Sequence, residues 1–137
     1  MNSYQAPLGR WAAGLVGRAL KHSPVVVLTG ARQTGKTTLV TSLIGQERHF
    51  ITLDDIELLE RAEKQPDGLL ESSLPLTIDE VQRSPSLLLA IKRQVDRRRV
   101  PGRFLLTGSA NLALLHRVSE SLAGRAIYKN IDRKSVV

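Results

Sequence analysis

Gly30-Ala31-Arg32-Gln33-Thr34-Gly35-Lys36-Thr37 is the stretch whose reading decides the fold. It matches G-x-x-x-x-G-K-[ST], the phosphate-binding loop or Walker A pattern. Gly30 and Gly35 allow backbone turns that a Cβ would obstruct. The N–H groups of Ala31, Arg32, Gln33 and Thr34 can then converge on an anion. Lys36 carries a flexible positive charge toward the β- and γ-phosphates, and Thr37 offers a hydroxyl to Mg²⁺.

The flanks agree with that reading. Pro24-Val25-Val26-Val27-Leu28-Thr29 is a short apolar, β-branched run suited to a central strand. After the loop, Leu39, Val40, Leu43 and Ile44 fall on one helical face, and Gly45 is a natural stop. A helix opening at Thr37-Thr38 would aim its unpaired N–H groups and positive dipole end at the phosphate.

Outward from the loop, strands and helices alternate. Residues 5–21 have a helical stripe through Leu8, Trp11, Ala12, Leu15, Val16, Ala19 and Leu20. Trp11, the only tryptophan, either packs that helix on a sheet or stacks on a base. A second strand is expected over His49–Leu53, followed by a short helix with Asp54 as N-cap, Glu57 three residues on, and Ile56, Leu59 and Ala62 facing inward. Gln65-Pro66-Asp67-Gly68 breaks the chain. A third strand, Leu74–Glu80, ends in two carboxylates. Ser84-Pro85 starts a helix that runs to about Arg99. Pro101-Gly102 turns into a fourth strand, Arg103–Gly108. The polar tip Ser109-Ala110-Asn111 leads into helical sequence to Leu122, and Ala126–Ile131 is a fifth strand. The pattern indicates an α/β fold with a largely parallel sheet. At 137 residues the chain is expected to be one domain, with a helix at 5–21, a nucleotide core over 24–131 and a short basic tail at 132–137.

Asp79 follows the apolar run Leu76–Ile78, where a Walker B aspartate belongs, and would hold a water of Mg²⁺ opposite Thr37. Glu80, directly after it, can polarise a water for in-line attack on a γ-phosphate. That favours hydrolysis over transfer to a small molecule. Thr107, Ser109 and Asn111 compete for a sensor role beside the γ-phosphate, and Ser109 reads equally as a helix cap. Arg125, after Gly124, is either a surface arginine or a group that stabilises transferring phosphate charge. Arg32 is expected to pack over the site or reach a partner.

Composition narrows the classes. The net charge is +7 and cysteine is absent, which removes disulfides, thiolate catalysis and Cys-based zinc sites and fits a reducing cytoplasm. No run approaches the roughly 18 apolar residues of a membrane helix, so no membrane role is expected. His22, His49 and His116 are isolated in sequence. Much of the positive excess lies in Lys92, Arg93, Arg97, Arg98, Arg99 and Arg103, against only Asp96. This stretch reads either as a solvated helix end or as a contact to a nucleic-acid backbone. Few aromatic residues are present to stack bases.

Taken together, Leu28–Leu39, Leu53-Asp54-Asp55, Ile78–Arg83, Pro101–Asn111 and Glu120–Arg125 resemble one family, the prokaryotic AAA-like P-loop ATP-binding proteins. Their P-loop domain is usually followed by a C-terminal domain. The resemblance runs from about residue 10 to 126. It implies a P-loop NTPase three-layer sandwich with a five-stranded sheet in the order 5-1-4-3-2, ATP and Mg²⁺ as ligands, and ATP hydrolysis or an ATP-dependent switch. Lys36, Thr37, Asp79 and Glu80 carry over directly, and Ser109 and Arg125 also align. A homo-oligomer or protein partner is implied as well. No N-K-x-D guanine-reading motif is present. Relatives continue past the fifth strand, so the resemblance further implies a truncated reading frame.

Overall fold

The structure, a computed structural model, describes residues 5–30, 47–108 and 112–130. The side chains of residues 5–12, Trp11 among them, and of residues 112–115 lie outside that description, as does the helix expected after Thr37. Five strands form one parallel sheet: β1 (Val25–Thr29), β2 (His49–Thr52), β3 (Leu76–Asp79), β4 (Phe104–Gly108) and β5 (Ala126–Asn130). The order is β2-β3-β4-β1-β5, the arrangement that the resemblance implied. β4 is therefore inserted between β1 and β3, although it follows both in sequence.

The helices are α1 (Gln5–His22), α2 (Ile56–Lys64), the single turn α3 (Pro66–Leu69), α4 (Pro85–Arg97) and α5 (Leu112–Ser121). Strand side chains alternate between the two faces, and the core divides accordingly. Val26, Leu28 and Leu105 pack against Val16, Ala19 and Leu20 of α1. Val25, Val27, Ile78, Phe104 and Leu106 face the other way, onto Ala62, Leu87, Leu88, Ile91 and Val95 of α2 and α4 and Val118 of α5. β1 is buried along its whole length, which is why it reads as an uninterrupted apolar run.

Several boundaries differ from the sequence expectation. Asp55, not Asp54, caps α2, accepting hydrogen bonds from the N–H groups of Glu57 and Leu58. Asp54 is one residue too early for this and pairs with Arg83 at 2.8 Å. Ile56 is 79% exposed. The helix turns Leu58, Leu59 and Ala62 inward, so its apolar face starts two residues later than expected. The expected break falls at Gln65, where α2 stops, and Pro66 then opens the single turn α3. β3 is shorter than Leu74–Glu80, and Leu74 is exposed. The Ser84 cap and Pro85 start are as expected, with Ser84 Oγ accepting from Leu87 N at 3.2 Å. α4 ends at Arg97 rather than Arg99. Ile131 lies outside the described residues.

One arginine that the periodicities did not single out ties the lower edge of the sheet together. Arg48, just before β2, donates from Nε to Thr77 Oγ1 and from its two terminal nitrogens to the carbonyls of Gly102 and Leu76, each at 2.8 Å. Burial pushes its guanidinium down to about 10, so it is still charged at neutral pH. Nothing local marks it, because its partners are 28 residues or more away in sequence.

Candidate functional site

Parallel strands place all their carboxyl ends on one edge, where α/β sheets bind ligands. Here the register aligns Thr29 with Gly108 and Thr52 with Asp79. Gly30, at the carboxyl end of β1, is buried. The rest of the expected loop, Ala31, Arg32, Gln33, Thr34, Gly35, Lys36, Thr37 and Thr38, lies outside the described residues, as do Ser109 and Asn111.

What the structure does describe is the acidic side of that edge. Asp79 ends β3 and is only 8% exposed. Its Oδ1 accepts from Thr107 Oγ1 of β4 at 2.6 Å, and its Oδ2 accepts from Thr52 Oγ1 of β2 at 3.1 Å. Neighbouring strands on both sides thus fix the carboxylate. Among the described residues, no cationic side chain pairs with it. A buried carboxylate without a countercharge is costly, and a hard divalent cation with oxygen ligands would supply one. Among the described residues there is no group of three or more metal-ligating side chains. One carboxylate in place suits Mg²⁺, which keeps most of its waters. Of the three sensor candidates Thr107 is the one described, and its hydroxyl hydrogen goes to Asp79.

Glu80 leaves the strand in a left-handed conformation, φ 57° and ψ 41°, the only non-glycine residue with positive φ among the described residues. Such a backbone is unfavourable for a residue with a Cβ and recurs at functional sites. It turns the chain abruptly into a 3₁₀ turn, Val81–Arg83. The Glu80 carboxylate accepts from Gln82 Nε2 at 2.7 Å. Gln82 was not a sequence candidate; the Asp-Glu-Val-Gln-Arg stretch held the signal, but only the left-handed turn brings the two side chains together.

Arg125 stands elsewhere. It precedes β5, whose first residue, Ala126, is level with Val25 at the start of β1. Five residue steps of parallel strand, about 16 Å, separate that level from Gly30. The Arg125 guanidinium grips Asp96 of α4 with Nε at 2.6 Å and a terminal nitrogen at 3.0 Å. The structure therefore does not bring Arg125 to Asp79 and Glu80 within one chain.

The basic cluster is also at the amino-terminal end of the strands, and it is less naked than its sequence suggests. Arg93 pairs with Asp67 at 3.2 Å, so Asp67 as well as Asp96 opposes it. Arg103 donates to Gln94 and lies over the Phe104 ring, 4.8 Å from its centroid. Arg97, Arg98 and Arg99 are exposed around the end of α4. No helix among the described residues is long and apolar enough to cross a membrane.

Residues 22–133 match the family model described as "AAA domain". The chain is 44% identical over 118 residues to uncharacterized proteins of Mycobacterium tuberculosis and of Mycobacterium bovis, which covers 85% of this chain and 26% of each relative. It thus spans about a quarter of the length of these curated relatives. It also resembles the structure of C. elegans PCH-2, with 24% identity and a TM-score of 0.49, over 94% of this chain and 40% of that one.

Proposed function

The chain belongs to the AAA domain family, and from that membership we propose that it is an Mg²⁺-dependent ATP-binding domain equipped for slow ATP hydrolysis. The observation that carries the proposal is Asp79, buried, fixed through both oxygens and without a cationic partner among the described residues. When bound, Mg²⁺ would neutralise charge on the β- and γ-phosphates. Asp79 and Thr37 are the residues proposed to hold it. Lys36 and the loop N–H groups of residues 30–38 are proposed to bind the triphosphate, and Glu80 to orient the attacking water. Ser109, the residue after β4 in the sequence, is proposed to sense the γ-phosphate.

Binding of ATP to the purified chain, titrated with Mg²⁺ and again with EDTA, tests the proposal. Lys36→Ala should abolish binding, and unchanged ATP affinity in that variant rejects the site. Glu80→Gln should leave binding intact and stop phosphate release. Equal turnover in Glu80→Gln removes Glu80 from the reaction.

A second reading is an ATP-dependent switch with negligible turnover. Phosphate release by the unaltered chain separates the two. Any role for Arg125 at a γ-phosphate requires a second copy of the chain, since its own nucleotide edge is a strand length away. Contact of the basic cluster with nucleic acid would be a function separate from the nucleotide site, at the opposite edge of the sheet. A salt-dependent mobility shift tests it, and no binding at low salt rejects it.

A further inference from the structure

We infer that Gln82 is a positioning residue for Glu80, a side chain that aims the Glu80 carboxylate from a seat against the tip of β4 at Gly108. The inference rests on the hydrolytic reading above and names a residue that this reading does not use. Three observations converge on it.

First, Glu80 has left-handed backbone, so its side chain departs from the line of β3 and needs a partner to fix its direction. Gln82 Nε2 supplies that partner at 2.7 Å from Glu80 Oε2. The other carboxylate oxygen, Oε1, is left to meet a water. Second, the far side of the same amide is enclosed. Gln82 Oε1 is buried and has no hydrogen-bond partner among the described residues. A buried acceptor without a donor is costly, and such groups in native structures call for an explanation. Third, the seat is shaped for this amide. A Cβ built on Gly108 would lie 2.6 Å from Gln82 Oε1, closer than atoms in contact approach. Glycine at the end of β4 is what admits the glutamine. The amide thereby spans from Glu80, after β3, to Gly108, the residue before Ser109. It links the proposed water-orienting carboxylate to the end of the strand that Ser109, the proposed γ-phosphate sensor, follows in sequence. A donor brought to Oε1 by bound nucleotide or water would satisfy the orphan acceptor and tighten the same linkage.

The test compares the unaltered chain with Gln82→Met, Gly108→Ala and the double variant, each measured for ATP Kd and for phosphate release. Methionine keeps the bulk of glutamine but cannot donate to Glu80. Alanine at 108 displaces the amide while leaving Gln82 in place, and the atom it meets is the movable end of a side chain. We expect each single variant to keep its ATP Kd and to lose turnover by about 10- to 100-fold, the scale of a misplaced catalytic group. The double variant should be no slower than the slower single one, because both changes break one linkage. Turnover in the unaltered chain that persists unchanged in Gln82→Met overturns the role of Gln82 and leaves the hydrolytic reading standing. A rise in turnover in that variant overturns it also, since the amide would then be restraining Glu80. ATP binding without turnover in the unaltered chain overturns the hydrolytic reading and this inference together. If Gln82→Met does not fold, Gly108→Ala alone decides, and normal turnover in it rejects the linkage.

Discussion

Thr107 of β4 gives its hydroxyl hydrogen to Asp79 of β3 across 2.6 Å, inside the sheet and away from water. The bond joins the two strands at the level where a metal-organising carboxylate is needed. Thr107→Val keeps the shape and removes the donor. It should cost about 1–3 kcal/mol, since it leaves a buried acceptor oxygen unpaired. It should also weaken Mg²⁺-dependent ATP binding, because Asp79 loses one of its two restraints. Denaturant midpoints and Mg²⁺ titrations check the two effects separately, and normal values for both would remove the bond from the site.

Arg48→Met tests the anchor at the other edge. The charge-assisted hydrogen bonds to Thr77 Oγ1 and to the backbone carbonyls of Leu76, Gly102 and Arg103 are lost. The expected loss is about 2–4 kcal/mol of stability. Chemical denaturation measures it, and a change below half a kcal/mol, about the size of a neutral surface substitution, would contradict the account.

The two glycines with φ near +77° should respond differently to alanine. At Gly124 a Cβ meets nothing within 4 Å, so Gly124→Ala should cost only the left-handed backbone penalty of about 1–2 kcal/mol. At Gly102 a Cβ would stand 3.0 Å from the carbonyl oxygen of Leu20, on the α1 side of the sheet. Gly102→Ala should therefore be the more damaging of the two, and thermal midpoints of the pair show the order.

The Arg125–Asp96 pair predicts a pH effect. The hydrogen bond from Arg125, aided by the charges of Arg125, Lys92 and Arg99, holds the Asp96 carboxyl below its usual 3.8 against the opposing effect of desolvation. A lowered folded value means that the pair stabilises the fold above the unfolded value and that this contribution is lost as pH falls through the folded one. Asp96→Asn should therefore remove stability at pH 5–7 and flatten the acid unfolding profile below pH 4. The difference should shrink in high salt, because the pair is exposed. An acid profile identical to that of the unaltered chain would show that the pair contributes nothing.

Local pattern carried much of the architecture. The uninterrupted apolar runs of β1 and β4 and the Ser84-Pro85 helix start are short-range signals, and each is written within a few residues. The same holds for Asp79-Glu80, adjacent in the chain and legible as a pair of carboxylates after an apolar strand. Misreadings such as Asp54 for Asp55 were shifts of a single residue, within the range over which a cap is ambiguous until its backbone conformation is known.

Sequence by itself, then, determined the alternating strand and helix order, the phosphate-loop pattern and the two acidic residues, because these depend on neighbours along the chain. Tertiary structure alone decided what meets across the sheet. It set β4 between β1 and β3, and so gave Asp79 the hydroxyls of Thr107 and Thr52. It turned Gln82 back onto Glu80 and sent Arg125 and the basic cluster to the far edge. Those relationships come from strand register and from one left-handed residue, and contacts between residues 28 or 29 apart leave no periodicity in the chain.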